Sequence, residues 1–290
     1  MNLIAIDIGN TMITVGLFLD DTKAWIESIP GAAEDAPEHL GDLLARAWEQ
    51  IPLVAGSTEH KRDGLIVVSS VHEAWGRMVE DLCRGRLGES IRLIGRDVPL
   101  PIEMGVDEPA AVGTDRVINA AAAFAVIEDA CVVADFGTAV TIDLVDENGV
   151  FLGGVIAPGF AMGAGALHHG TSKLPLIEVT TPTDPVGVDT VKAMNAGLFY
   201  SAVGLLRTIT ELYAEQLGRW PQTVVTGGAS RLLKGHCDFV DSWVDNLTVM
   251  GIVIAYKKHL ATQAELLELD AKNRASRRKQ KPRKPGPPLN

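Results

Sequence analysis

Hydrophobic positions along this chain fall into short apolar runs separated by longer stretches of helical spacing. Leu3-Ile4-Ala5-Ile6 is continuously apolar and partly β-branched, so it reads as a buried strand. It ends in Asp7-Ile8-Gly9-Asn10-Thr11, and a second apolar-rich strand, Met12 to Leu19, leaves that turn. Thr22 to Ile29 is a third candidate strand, closing a meander. Ala36 to Gln50 places Leu40, Leu43, Leu44 and Ala47 on one helical face. Gly64 to Ser69 is another buried strand, Glu73 to Leu87 a helix and Ser90 to Ile94 a short strand. This order predicts an α/β first half with a mixed sheet.

Pro99, Pro101 and Pro109 break the pattern across Asp97 to Ala111, which places the expected domain boundary there: 1–111 and 112–270. Val117 to Glu128 is an Ala-rich helix. Cys131 to Ala134 is a buried-strand run, followed by Asp135-Phe136-Gly137-Thr138-Ala139 and a strand from Val140 to Val145. Further strands are expected over Gly149–Ile156 and Thr223–Val225. Helices are expected over Phe160–His169, Val191–Leu217 and Thr248–Leu269. Residues 271–290 are basic, Pro-rich and of low complexity, and are expected to be disordered.

The two turns repeat one another. Asp, an apolar residue, Gly and an amide or hydroxyl recur in the same order after the same kind of strand, with Asp7 and Asp135 128 positions apart. One glycine turn only reverses a chain. Two suggest a duplicated domain whose hairpins face each other across a cleft. Backbone N–H groups in such turns bind anions, so opposed loops suit a nucleoside triphosphate. A strand-to-helix turn at Thr226-Gly227-Gly228 lets a nucleotide approach the backbone closely.

Charge narrows the function. The formal net charge is −11, but residues 271–290 hold eight Lys and Arg and no acid, leaving −19 on the rest. An acidic body argues against nucleic-acid binding there; the tail is either a solvated extension or a weak contact for an acidic partner or nucleic acid. Cys83, Cys131 and Cys237 form no Cys-x-x-Cys pair, as expected in a reducing cytosol. No basic segment precedes the first apolar run, so a cytoplasmic protein without a signal peptide is expected. Asn148 to Ser172 lacks charge, but Pro158 and its many glycines make it a turn region rather than a membrane span. Adjacent His168 and His169 do not share a helix face and have no metal-ligand spacing around them. No Gly-x-x-x-x-Gly-Lys-Ser/Thr stretch occurs, which disfavours a P-loop kinase.

Gly113-Thr114-Asp115-Arg116 opens the Ala-rich helix. Asp115 is either its N-cap or a site residue. Arg116 in a first turn opposes the helix dipole and has no ready structural explanation. Asp189 or Thr190 caps the long helix that follows.

The order of these motifs resembles the type III pantothenate kinases, of the acetate and sugar kinase/actin-like superfamily. It rests on Asp7 to Thr11, Gly113 to Arg116, Asp135 to Ala139, Gly153 to Gly159, Lys173-Leu174-Pro175 and Thr226 to Gly228, and it runs from about Asn2 to about Tyr256. It implies duplicated actin-like (ribonuclease H-like) domains, with mixed sheets flanked by helices and a nucleotide cleft between them. It implies ATP-dependent phosphorylation of pantothenate, the first step towards coenzyme A. Asp7, Gly9, Asn10, Thr11 and Thr138 would hold ATP, with Mg²⁺ as divalent metal. Asp115 would be the general base, and Gly113, Thr114, Arg116 and Thr190 would contact pantothenate. Asp135 would bind K⁺ or NH₄⁺, and the protein would be a homodimer. Val106 stands where family members often carry Tyr in the pantothenate pocket, so one hydroxyl contact is lost. Two alternatives stay open: a superfamily kinase with another small substrate, and a non-catalytic relative that assists transcription.

Overall fold

The computed structural model describes residues 1–56 and 61–279, the side chains of 269–279 excepted. The first half comprises β1 (Leu3–Ile8), β2 (Met12–Leu19), β3 (Thr22–Pro30), α1 (Ala36–Gln50), β4 (Leu65–Ser70), α2 (Glu73–Leu82) and β5 (Ile91–Leu93). Its sheet has the order β3-β2-β1-β4-β5, with β1 antiparallel to β2 and parallel to β4. Then follow β6 (Glu103–Met104), α3 (Thr114–Ile127), β7 (Cys131–Phe136), β8 (Ala139–Val145), β9 (Val150–Pro158), α4 (Phe160–His169) and α5 (Thr190–Leu217). The chain continues through β10 (Gln222–Thr226), α6 (Ser230–Leu233), β11 (Ser242–Trp243) and α7 (Leu247–Lys279). The second sheet has the order β11-β10-β7-β8-β9-β6. Without its edge strand β6, it repeats the first sheet strand for strand, with β7 in the place of β1. The duplication expected from the two turns is therefore a duplication of whole sheets.

Period-two alternation explains the layers. On β1, Ile4 and Ile6 join a core with Leu40 and Leu44 of α1 and Val79 of α2. Leu3 and Ala5, on the opposite face, pack with Ile118 of α3 and Val249 and Ile252 of α7. On β7, Cys131 and Val133 meet Val117 and Ala120 of α3, while Val132 and Ala134 meet Ala202 and Leu206 of α5. The central strands are apolar up to Asp7 and Asp135 because helices cover both their faces. Helices α3 and α7 fill the space between the sheets. The last helix among the described residues thus packs on the first strand, and β6, from the Pro-rich connector, pairs with β9.

Four expectations change. The closing helix runs to Lys279 rather than Leu269, because the segment after His259 is dominated by Ala, Leu, Glu, Lys and Arg, all strong helix formers. Residues 271–279, expected to be disordered, are helical, and 280–290 lie outside the described residues. The helix predicted over Glu73–Leu87 is α-helical only to Leu82. A π-helical turn, Cys83–Leu87, follows and ends at left-handed Gly88, φ 71°. The N-cap of α3 is Gly113, so Asp115 lies inside the first turn and its side chain is not a cap. Asp189 does cap α5, accepting from the Lys192 N–H at 2.8 Å. Cys83, Cys131 and Cys237 are buried and free, and among the described residues no helix is long and apolar enough to cross a membrane.

Candidate active site

A cleft of about 670 Å³ opens between the two sheets. Its floor is the pair of hairpins. Asp7 and Asp135 end the two central strands, opposite Thr14 and Thr141 on the paired strands. The first turn closes with the Gly9 N–H donating to the Met12 carbonyl at 3.0 Å, the second with Gly137 donating to Ala139 at 3.1 Å. The tips touch: the Thr11 and Thr138 hydroxyls are 2.7 Å apart and hydrogen-bonded. Asp7, Gly9, Asn10, Thr11, Asp115, Asp135 and Thr138 all line this one cleft.

Three carboxylates converge there, and the electrostatics show strain. The Asp7 Oδ1 is shut off from solvent and has no hydrogen-bond partner. Burial, with the charges of Asp115 and Asp135 added, pushes Asp7 up to about 8. Burial raises Asp135 to about 6, against a hydrogen bond from Asn119, whose Nδ2 donates to Oδ2 at 3.0 Å. Asp115 is also raised by burial, opposed by the Arg116 backbone N–H, which donates to its Oδ1 at 2.8 Å. Adding a cation would relieve all three. Among the described residues, no group of three or more His, Cys, Asp and Glu is placed to enclose a metal. This donor set fits a divalent ion such as Mg²⁺, which binds through one or two carboxylates and substrate phosphates.

The remaining expected residues divide. Thr114 is anchored beneath Asp115, its hydroxyl 3.1 Å from that of Ser69. A Cβ on Gly113 would lie 2.5 Å from an Asp115 carboxylate oxygen, which would have to shift. Arg116 is tied to Asp143, its Nε donating to Oδ1 at 3.1 Å. Val106 is half-buried against the second core, and Thr190 is exposed at the start of α5; like Gly113, Thr114 and Arg116, neither lines the cleft. Thr226-Gly227-Gly228 does line it. Gly227 has φ 94°, and a side chain there would run into the Asp135 carboxylate and the Phe136 backbone. At the far end, Arg231 pairs with Asp245 at 2.9 Å beside Asn246 and Thr248. His168 is used locally, its Nδ1 2.7 Å from the Leu174 carbonyl.

Asn119, Asp143 and Ser69 were not anticipated. Asn119 had a signal, lying one helical turn beyond Asp115 in an otherwise apolar helix. Asp143 had one too, as an acid inside a strand.

A duplicated mixed sheet around a cleft, with opposed Asp-x-Gly hairpins on its floor, defines an actin-like fold. Residues 3–212 match the type III pantothenate kinase family. The chain is 35% identical over 257 residues to the type III pantothenate kinase of Syntrophotalea carbinolica, covering 89% of this chain and 99% of that one. It is 30% identical over 258 residues to that of Halalkalibacterium halodurans, covering 89% and 100%. The chain belongs to the type III pantothenate kinase family. Among solved structures, a Baf family protein from Campylobacter jejuni, described as a transcriptional activator, superposes with a TM-score of 0.54 at 20% identity, covering 88% of this chain and 98% of that one. The ethanolamine utilization protein EutJ of Carboxydothermus hydrogenoformans gives 0.50 at 13%, covering 88% and 89%. At such identities both speak for the fold alone.

Proposed function

We propose that the protein transfers the γ-phosphoryl group of ATP to the primary alcohol of pantothenate, giving 4′-phosphopantothenate in the first step towards coenzyme A. The observation that carries this is the convergence of Asp7, Asp115 and Asp135 beside hairpin tips joined through Thr11 and Thr138. Phosphoryl transfer needs positioning, charge neutralisation and a proton acceptor. Gly9, Asn10, Thr11 and Thr138 supply N–H and hydroxyl donors for the phosphates. Asp115 takes the alcohol proton as the new O–P bond forms and the bond from the γ-phosphorus to the β,γ-bridging oxygen breaks, releasing ADP; burial raises its pKa, which strengthens it as a proton acceptor. Gly113, Thr114 and Arg116 hold the acceptor. A divalent ion near Asp7 would neutralise phosphate charge, and Asp135 would hold K⁺ or NH₄⁺.

The expected boundary puts the cleft at the junction of residues 1–111 and 112–270. Thr190 is exposed and does not line the cleft of its own chain, so it serves acceptor binding through a homodimer. Exposed Ile156, Val186, Val188 and Val191 offer apolar side chains to that second copy. A cytoplasmic location follows from the same reading. A panel of acceptors tests it: pantothenate is phosphorylated, and hexoses and small hydroxy acids are not. Phosphorylation of a hexose without pantothenate turnover overturns the assignment.

A further inference from the structure

Asp143 lies in the middle of β8, between Ile142 and Leu144, and is 2% exposed. A carboxylate in such a place is costly unless it is paired and hydrogen-bonded. Its partner is Arg116, one residue beyond Asp115. The Arg116 Nε donates to Oδ1 at 3.1 Å and to Oδ2 at 3.2 Å, and Nη2 donates to Oδ1 as well. The guanidinium carbon lies 5.7 Å from the centroid of the Phe151 ring, and only 14% of the Arg116 side chain is exposed. The wall behind the pair is closed. A Cβ on Gly154 would overlap the Asp143 carboxylate and the Ile142 carbonyl. The Tyr213 hydroxyl donates to that same carbonyl at 3.2 Å.

Engagement through Nε and Nη2 fixes the plane of the guanidinium. It leaves the Nη1 edge as the donor edge for a bound molecule. Asp143 meets the charge of Arg116, so what the guanidinium has left to offer is directed hydrogen bonds rather than net charge.

We propose that Asp143 is a positioning residue: it locks Arg116 so that the Nη1 edge meets the phosphoryl acceptor. The proposal rests on the reading of Arg116 as an acceptor contact. Hydrogen bonds to charged groups are strong enough that losing this alignment raises KM for pantothenate on the order of 10- to 100-fold. KM for ATP stays within about two-fold, since the nucleotide is held elsewhere.

The test compares the parent, Asp143→Asn, Arg116→Lys and the double variant. Lysine cannot make the bidentate pair. Arg116→Lys alone therefore shows the pantothenate-specific loss, even if Asp143→Asn does not fold. Adding Asp143→Asn to Arg116→Lys costs little more. Equal rises in both KM values, or losses that add, overturn the proposal. A second readout needs no turnover: the nitrogen-15 signal of the Arg116 Nε–H, assigned by its absence in Arg116→Lys. It is protected from exchange in the parent and loses protection in folded Asp143→Asn; a signal that stays protected overturns the pairing. A parent that shows this protection but does not phosphorylate pantothenate refutes the proposed function and leaves the pair standing.

Discussion

Replacing Asp7 with asparagine makes the ligand-free protein more stable, and increasingly so as pH rises. Asn keeps the shape and removes the charge. The folded pKa of about 8 lies above the ordinary value of 3.8, so the native state holds a proton that the unfolded chain gives up. Stability therefore falls as pH rises from about 4 to about 8. At ~1.4 kcal/mol per pKa unit, the penalty at pH 7 reaches at most about 4 kcal/mol. Asp7 still borders the cleft, where water and dissolved cations screen it, which leaves a gain of about 1–3 kcal/mol for the variant. Urea unfolding of parent and Asp7→Asn, without Mg²⁺ at fixed salt, measures this directly. The difference is near zero at pH 4, grows through neutrality and levels off above pH 8. A difference independent of pH, or a parent more stable than the variant at pH 8, would refute the account of the carboxylate cluster.

Other changes probe the same cleft. Asp115→Asn lowers kcat by about 10²- to 10⁴-fold while nucleotide affinity changes little, because the base acts in the chemical step; equal turnover would remove Asp115 from that role. Turnover rises with K⁺ or NH₄⁺ and falls with Na⁺ alone, and Asp135→Asn blunts the difference; a parent indifferent to the cation contradicts the role given to Asp135. Gly227→Ala costs about 1–3 kcal/mol in a denaturant titration, since φ 94° is strained for alanine and its Cβ meets the Phe136 backbone; unchanged stability would contradict the packing described.

Much of this arrangement was legible because it is local. A strand, an Asp-x-Gly turn and a returning strand are contiguous in sequence, and their repetition pointed to two facing hairpins. The Thr11–Thr138 hydrogen bond is that expectation in atoms. What was not legible depends on chain crossing. The closing helix α7 follows the second sheet in sequence, yet Val249 and Ile252 pack against Leu3 and Ala5 of the first strand. Its apolar pattern announces a helix and not the sheet it covers. The Arg116–Asp143 pair joins a helix start to a strand interior, and neither residue type names its partner. Asp115 as an N-cap was a sound local expectation; with Gly113 as the cap, its carboxylate is left for the cleft.

The central claim is tested most directly by incubating the purified protein with ATP, pantothenate, Mg²⁺ and K⁺ and weighing the product by mass spectrometry. Pantothenate heavier by one phosphoryl group, formed by the parent and nearly abolished in Asp115→Asn, is the predicted result. Nucleotide bound or consumed with no such product would contradict it. The cleft would then serve another acceptor, or, if DNA were bound in a salt-sensitive way without turnover, a regulatory role.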